Sequence, residues 1–298
     1  MFILGVSKII NVSMDLIERR KIVQDISRDV LKDVIAFCEK HDIEYFMIFG
    51  SLLGVIRHKG MIPWDDDIDI AMTRENYNRF LACVKQDGKE LLARNHVKIN
   101  GSGSEKYASE IKVGRLGTVY CPKIGADLDI NKEITVDIFC VDHLKNGYMK
   151  HINLLNKFRL FLSVAKLNWT EKRFMIRVFK QKSRWTKYLK IIALYILHLL
   201  RMVFAEAGIE KFIIGMAVDT SKRSKFVGVV MGVRLPISFS SDFKLINAEF
   251  DGMNVLIPNN YDEILTRIYG DYMTPPPENQ RYGRDKYEIV LEVNGEML

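Results

Sequence analysis

Apolar and polar positions follow two different periods along this chain, which predicts helices and strands in mixed order. From about Met14 to Lys40, apolar residues recur at helical spacing with charges between them, and Ser13 can cap the start of this helix. Residues 43–49 (IEYFMIF) form a short β-rich run that ends at Gly50. This order predicts a sheet that is covered by at least one long helix.

Further elements are marked by their end signals. Thr73 caps a predicted helix over residues 74–84, and residues 243–257 predict a hairpin around an Asp-Gly turn. A helix over residues 261–269 stops at the next glycine. Residues 271–281 (DYMTPPPENQR) then form an extended segment with three prolines, for which the sequence alone suggests only a rigid strap.

Two of the predicted strands carry acidic residues at alternate positions. Asp67 and Asp69 project from one face of the first strand, while the isoleucines that follow each of them project from the other. In the second strand, residues 134–142 (ITVDIFCVD), Asp137 lies on the face opposite three aliphatic side chains. If the two strands are neighbours, three carboxylates meet at one point.

Carboxylates on one face of a sheet suit a hard divalent cation. Mg2+ is usually held by one or two carboxylates together with water and substrate phosphates. The sequence therefore predicts that Asp67, Asp69 and Asp137 hold Mg2+ for phosphoryl chemistry. The competing interpretation is a solvated acidic turn after Pro63, but the acids lie inside an apolar, β-rich segment, which favours the metal site.

Two segments near these acids are candidates for binding phosphate. Gly50 allows close backbone approach, and the amides of Ser51 and Leu52 at a helix start are donors that a phosphate can use. The basic loop that contains Arg57 and Lys59 either holds a diphosphate or is ordinary solvated loop charge. The sequence leaves both interpretations of the loop open.

The middle of the chain differs in composition from both flanks. Between Lys150 and Lys190 there are twelve Lys or Arg residues and one acid, in a chain of net charge +7. Residues 188–207 are apolar but interrupted by charges, whereas a membrane-spanning helix needs about 20 apolar residues. The pattern predicts either an interfacial helix on an anionic membrane or a buried helical insertion. Nucleic acid is not an expected partner, because no aromatic stacking surface is laid out.

Cysteine spacing and length limit the protein class further. The four cysteines are widely spaced without a C-x-x-C pair, so neither structural zinc nor a disulfide framework is indicated. The first residues lack a basic n-region and a cleavage site, which predicts a cytoplasmic protein that can lie peripherally at the inner membrane face. The expected division is a catalytic core over 1–149, a basic and apolar helical insertion over 150–207, and a segment over 208–298 that completes the catalytic domain.

The acid pattern resembles that of the nucleotidyltransferase superfamily, in which a Gly-Ser turn precedes an acid-apolar-acid strand and a third acid follows on a later strand. Within it, three stretches closely resemble the LicD family, which also includes fukutin and fukutin-related protein: GSLLGVIRHKGMIPWDDDIDIAM, TVDIFCVD and YGDYMTPPPENQR. The resemblance spans residues 43–142 and about 243–281. It departs after Arg281, where family members often have histidines and this chain continues Tyr-Gly-Arg-Asp.

This resemblance implies an α+β fold with a nucleotidyltransferase-like mixed β-sheet and flanking helices. It implies transfer of a phospho-alcohol, with phosphocholine expected, from a CDP-activated donor such as CDP-choline. The acceptor would be a sugar hydroxyl of a lipid-linked or surface glycan such as teichoic acid, lipopolysaccharide or capsule, and CMP would leave. Carried over onto this sequence, Asp67, Asp69 and Asp137 would hold magnesium, and Gly50 and Ser51 would contact the diphosphate. Asp137 would also help to deprotonate the hydroxyl.

Two other functions are compatible with the same residues. A nucleotidyltransferase acting on a small molecule uses the same acids and releases pyrophosphate instead of CMP. A non-catalytic, membrane-associated glycan assembly factor would keep the fold without turnover. The intact set of acids argues against the second of these.

Overall fold

The computed structural model describes residues 16–100, 110–122, 133–145, 215, 217–229, 237–281, 289–294 and 296–297. The chain forms two compact units. The first contains Met1–Ile99, Glu110–Val141 and Asp242–Leu298, and the second contains Asn100–Ser109 and Asp142–Ser241. The insertion predicted over 150–207 lies outside the described residues, so its helical character and the predicted domain division stay predictions.

The described helices are, in chain order, α1 (Leu16–Lys40), α2 (Phe49–His58), α3 (Arg74–Asp87), α4 (Lys89–Leu92), α5 (Tyr261–Tyr269) and α6 (Glu278–Arg281). The strands are β1 (Phe46–Met47), β2 (Ile68–Thr73), β3 (Asn95–Asn100), β4 (Glu110–Arg115), β5 (Thr118–Pro122), β6 (Thr135–His143), β7 (Phe226–Val229), β8 (Ile237–Ser240), β9 (Leu245–Phe250), β10 (Met253–Pro258), β11 (Ile289–Val293) and β12 (Glu296–Met297). Among these helices none is long and apolar enough to cross a membrane.

A mixed sheet of order β1-β2-β6-β4-β3 forms the centre of the first unit. Strands β2 and β6 are parallel, and Asp69 on β2 is the register partner of Asp137 on β6. Strand β4 pairs antiparallel with the other edge of β6. The two acidic strands are therefore neighbours, which is the condition for their acids to lie together, and the predicted mixed sheet with flanking helices is confirmed.

Alternation along the two central strands separates a core from a polar face. Ile68 and Ile70 on β2, like Val136 and Ile138 on β6, are fully buried. Burial of each such side chain contributes about 1.5–3 kcal/mol. Helix α1 covers Leu16–Lys40 and buries one apolar face, and its predicted start at Met14 lies outside the described residues. Asp69 and Asp137 therefore lie on a sheet whose opposite face packs into the hydrophobic core.

The predicted strand over residues 43–49 is wrong in its extent. Only Phe46 and Met47 pair as β1, antiparallel to β2, and Phe49 already begins α2 with a φ of 53°. The side chains from Tyr45 to Phe49 are all buried. An unbroken apolar run can be buried in the core as a strand or as a helix. Its pattern therefore does not show where the strand ends and the helix begins.

Three other predicted elements are confirmed. The Thr73 hydroxyl accepts a hydrogen bond from the Asn76 amide at 3.4 Å and caps α3. Strands β9 and β10 form the predicted hairpin, with Asp251 and Gly252 at positive φ in the turn. Helix α5 stops at Gly270, whose φ is 69°. In the second unit, the end of β6 pairs with β7, and β7 pairs with β8.

Candidate active site

An acidic turn, defined as Asp65, Asp66 and Asp67, lies immediately before β2. One carboxylate oxygen from each residue lies within 4.8 Å of the corresponding oxygens of the other two, and all three side chains are half-buried. This spacing suits a metal ion. The alternation predicts that Asp67 and Asp69 lie on the same strand. This is wrong for Asp67, because β2 begins only at Ile68 and Asp67 belongs to the turn before it.

Two side chains from distant parts of the chain hold the acidic turn. The Gln24 amide on α1 donates hydrogen bonds to the carbonyls of Ile62 at 3.1 Å and Asp65 at 2.7 Å. The Tyr120 hydroxyl on β5 donates to Asp66 Oδ2 at 2.7 Å. The Gln24 hydrogen bonds fix the backbone of the turn, and the Tyr120 hydrogen bond fixes one of its carboxylates. Sequence reasoning identified neither residue.

Gly50 lies directly beside the acidic turn. A Cβ atom at this position would come within 2.6 Å of Asp65 Oδ2. The preceding residue, Phe49, is a bulky side chain in the left-handed backbone region, which costs about 1–3 kcal/mol unless the surroundings enforce it. Its ring is buried and packs edge-on against Phe139 at 5.1 Å. The start of α2 is thus held tightly against an acid, and only glycine fits there without displacing it.

Ser51 uses its side chain to hold β2. Its buried hydroxyl accepts a hydrogen bond from the Asp69 amide at 2.8 Å. The Leu52 amide, which was predicted to donate a hydrogen bond to a phosphate, donates instead to the Ile48 carbonyl at 3.2 Å. Ser51 therefore positions one of the central acids, and its predicted contact with a diphosphate stays a prediction.

The polar face of the sheet carries a row of three charged side chains, Asp69, Asp137 and Lys112, on β2, β6 and β4. They are register partners across the three strands, so their side chains share one face. Lys112 Nζ forms a very short contact with Asp137 Oδ2 and lies 3.4 Å from a carboxylate oxygen of Glu110. Thr135 Oγ1 donates to Asp137 Oδ1 at 2.8 Å.

Electrostatics in this row favour a charged lysine beside a buried acid. Burial raises the pKa of Asp137, and the positive charge of Lys112 opposes that shift without cancelling it. Burial lowers the pKa of Lys112, but the carboxylates of Asp137 and Glu110 outweigh it, so the pKa is raised. Asp137 is thus neutralised by a neighbour within the protein. It lies outside the group of acids that meet within 4.8 Å of one another in the described residues.

The predicted basic loop is wrong at its start, because Arg57 still lies in the last turn of α2 and only Lys59 follows the helix. Arg57 is half-buried, donates to the Tyr272 carbonyl at 2.7 Å and places its guanidinium 5.9 Å from the Trp64 ring centroid. Lys59 ends α2 in the left-handed conformation, and its side chain is exposed. Arg57 faces the region beside the acidic turn, whereas Lys59 is the more typical solvated loop charge.

Residues 42–153 match the family model described as LicD/FKTN/FKRP, nucleotidyltransferase domain. These residues carry the LicD/FKTN/FKRP nucleotidyltransferase domain. The lipopolysaccharide cholinephosphotransferase LicD of Haemophilus influenzae is 28% identical over 260 residues, which are 83% of this chain and 88% of that protein. An uncharacterized protein of Rickettsia typhi is 39% identical over 57 residues, 19% of this chain and 18% of that protein. One of Rickettsia prowazekii is 43% identical over 47 residues, 16% and 18% of the two chains.

The part that matches the LicD-family domain contains the acidic turn and the charged row, but the proline-rich segment follows much later. Arg281 at its end nevertheless lies in α6 with its guanidinium 4.9 Å from the Trp64 ring centroid. No sequence signal pairs these two residues, because 217 positions separate 64 from 281. The fold alone brings the last LicD-like stretch to the first.

Proposed function

We propose that this LicD-family protein transfers a phospho-alcohol, with phosphocholine expected, from a CDP-activated donor to a sugar hydroxyl of a cell-surface glycan precursor. The observation that carries the proposal is the convergence of Asp65, Asp66 and Asp67 directly before β2. Such a group suits Mg2+ in phosphoryl transfer. The name of the H. influenzae relative supports phosphocholine as the transferred group and lipopolysaccharide as an acceptor. CDP-choline as donor, and teichoic acid or capsule as other acceptors, are part of the proposal.

The proposed ligands of Mg2+ are Asp67, Asp69 and Asp137. Asp65 and Asp66, the other residues of the acidic turn, add negative charge near Asp67. Asp67 is shared by the predicted ligand set and the observed acidic turn. The parallel register of Asp69 and Asp137 supports including both. Mg2+ bound there would neutralise negative charge on the donor phosphates.

The reaction balances as an in-line displacement. The acceptor hydroxyl oxygen forms a bond to the phosphorus that carries the alcohol, the bond from that phosphorus to the CMP oxygen breaks, and CMP leaves with the electron pair. Asp137 is proposed to accept the hydroxyl proton, since burial raises its pKa toward the range in which a carboxylate is an effective base. An Asp137→Asn protein that binds metal and donor as the parent does but turns over unchanged would contradict this role.

The donor diphosphate is proposed to bind between the start and the end of α2. Gly50 and Ser51 lie in its first turn, and Arg57 lies in its last turn. The half-burial of Arg57 supports this role most directly. Lys59 would reach the phosphates from its exposed position. The basic segment over residues 150–207 is proposed to hold the protein at an anionic membrane surface, where a lipid-linked acceptor is found.

A thermal unfolding series tests the donor. The protein is heated with Mg2+ and CDP-choline, CDP-ribitol or CDP-glycerol, and we expect CDP-choline to raise Tm most. At 100 times Kd a ligand stabilises the native state by about 2.7 kcal/mol. Release of CMP in the presence of a glycan acceptor then identifies the reaction. Absence of stabilisation by all three donors would contradict the proposal.

Nucleotidyl transfer to a small molecule is the second candidate, favoured by the description of the matching domain. The two reactions differ in the phosphorus that is attacked. Pyrophosphate released from CTP would establish nucleotidyl transfer, and CMP released from CDP-choline would establish phospho-alcohol transfer. A non-catalytic assembly factor would release neither product.

A further inference from the structure

Two arginines from distant parts of the chain meet at one tryptophan ring. The guanidinium carbon of Arg57, near the end of α2, lies 5.9 Å from the Trp64 ring centroid, and that of Arg281, in α6, lies 4.9 Å from it. The ring of His58 stands edge-on to Trp64 at 5.7 Å. All four side chains are half-buried. Trp64 itself is the residue immediately before the acidic turn.

Both arginines donate hydrogen bonds to backbone carbonyls. In the part of the chain that the structure describes, no carboxylate lies within ion-pair distance of Arg57 or Arg281. Arg57 donates to the Tyr272 carbonyl at 2.7 Å, and Arg281 Nε donates to the Pro276 carbonyl at 2.7 Å. A guanidinium has five N–H donors, so both side chains keep donors for another acceptor.

Two other half-buried arginines of the same unit are paired with acids. Arg115 lies 2.9 Å from Asp33, and Arg28 lies 3.2 Å from Asp251. A buried charge without a partner is costly, and two like charges near one ring add to this cost. Burial lowers the pKa of Arg57, and the charge of Arg281 lowers it further. An anion bound between the two guanidiniums would relieve both effects.

We infer that Arg57 and Arg281 form an oxyanion site at the Trp64 ring, and that its ligand is the diphosphate of the nucleotide donor. Guanidinium groups bind phosphate oxygens bidentately, which lysine does not. The proline-rich segment then has a defined task, which is to carry Arg281 back to the start of the acidic turn. Only the identity of the ligand rests on the proposed function. The oxyanion site rests on the contacts of the two arginines.

Calorimetric titration of inorganic pyrophosphate into the intact protein, with EDTA present, tests the site without metal. We expect saturable binding by the parent and about 10- to 100-fold weaker binding by Arg281→Met, which removes a charge-assisted pair of hydrogen bonds. Arg281→Lys keeps the positive charge but lacks the bidentate guanidinium, and we expect it to bind pyrophosphate about tenfold more weakly than the parent does. The matched control is Arg267→Met, because Arg267 is exposed on α5 and pairs with Glu263 at 3.1 Å.

Two results would overturn the site: no pyrophosphate binding by the parent at millimolar concentration, or parental affinity in both Arg281 variants with an unchanged Tm. A second titration identifies the source of the phosphate. Displacement of pyrophosphate by CDP-choline supports the donor. Displacement by phosphatidylglycerol vesicles but not by CDP-choline overturns the donor assignment. Arg281-dependent pyrophosphate binding without CDP-choline binding would therefore reject the proposed donor and retain the oxyanion site.

Discussion

The acidic turn and the charged row both contain aspartates, but the neighbours of these aspartates differ. In the turn, Asp65, Asp66 and Asp67 approach one another, and neighbours hold them from the outside. In the row, Asp137 is matched with a cation of the protein itself, Lys112. The turn brings three carboxylates close together, whereas the row pairs one carboxylate with a lysine.

This difference assigns different tasks to acids that look equivalent in the sequence. Convergent carboxylates repel one another, so a turn that gathers them gains from a bound cation. A carboxylate paired with lysine is already stabilised and gains less. We therefore expect metal affinity to depend mainly on the acidic turn, and the charged row to matter more for stability and for proton transfer.

The largest effect is expected from Asp67→Asn, because Asp67 belongs to both the turn and the proposed ligand set. Loss of a charged ligand should weaken Mg2+ binding about 100-fold and lower turnover about 1,000-fold, roughly 4 kcal/mol in the barrier. Calorimetric titration of Mg2+ and CMP release from CDP-choline measure the two quantities. The control is Asp29→Asn, an exposed acid on α1. Equal metal affinity in Asp67→Asn and the parent would break the comparison.

Gly50→Ala tests whether the turn must stay close to α2. The new Cβ would lie 2.6 Å from Asp65 Oδ2, so the carboxylate has to move. Overpacking of this kind costs about 1–3 kcal/mol of stability, and displacement of a catalytic group by about 1 Å can lower turnover about 100-fold. Tm and turnover are measured together. Gly215→Ala is the control, since no heavy atom of the described residues lies within 4 Å of a Cβ at that position, and it should leave both unchanged.

The secondary structure was largely predictable because its signals are local. Helix α3 with its Thr73 cap, helix α5 with its terminal glycine and the β9–β10 hairpin each have a marker within a few residues. The end of β1 was not predictable, since the core buries the apolar run on both sides of that boundary. Local chemistry thus predicted the element types better than their limits.

The site was predictable only in part for a related reason. Strand alternation placed Asp69 and Asp137 on the polar faces of their strands, and the pairing of β2 with β6 makes them neighbours. It could not show that Lys112 would lie opposite Asp137, or that Gln24 and Tyr120 would hold the acidic turn. These contacts join residues at least 25 positions apart, and no periodicity records such pairings.

Lys112→Met separates stability from metal binding. The substitution leaves the half-buried Asp137 beside Glu110 without its cation. We expect a loss of about 1–3 kcal/mol, less than for a fully buried ion pair, because both side chains are partly exposed. Saturating Mg2+ should restore more Tm in this variant than in the parent if Asp137 can ligate the ion. Equal Mg2+ shifts in the two proteins would exclude Asp137 from the metal site.

Tyr120→Phe tests the outer support of the turn. The change removes only the hydroxyl that donates to Asp66 at 2.7 Å. Loss of a hydrogen bond to a metal-binding carboxylate typically lowers metal affinity about tenfold. Calorimetric Mg2+ titration measures this change, and Tm should fall by only a few degrees. Tyr272→Phe is the control, since its hydroxyl contacts Asp262 away from the turn. The same affinity in Tyr120→Phe and the parent would show that Asp66 needs no support.

The smallest effect is expected in the alkaline range and concerns the charged row alone. The pKa of Lys112 lies above its ordinary value of 10.5 in the native protein, because the carboxylates of Asp137 and Glu110 outweigh its burial. The native state therefore binds this proton more tightly than the unfolded state does. The resulting stability is fully present below pH 10.5 and is lost as pH rises through the higher native pKa. Urea unfolding from pH 9 upward, spanning about two pH units, should show a steeper loss in the parent than in Lys112→Met, where that proton is absent. Parallel curves would mean that the lysine is no better held in the folded protein than in the unfolded chain, and the contrast between the acidic turn and the charged row would lose its electrostatic basis.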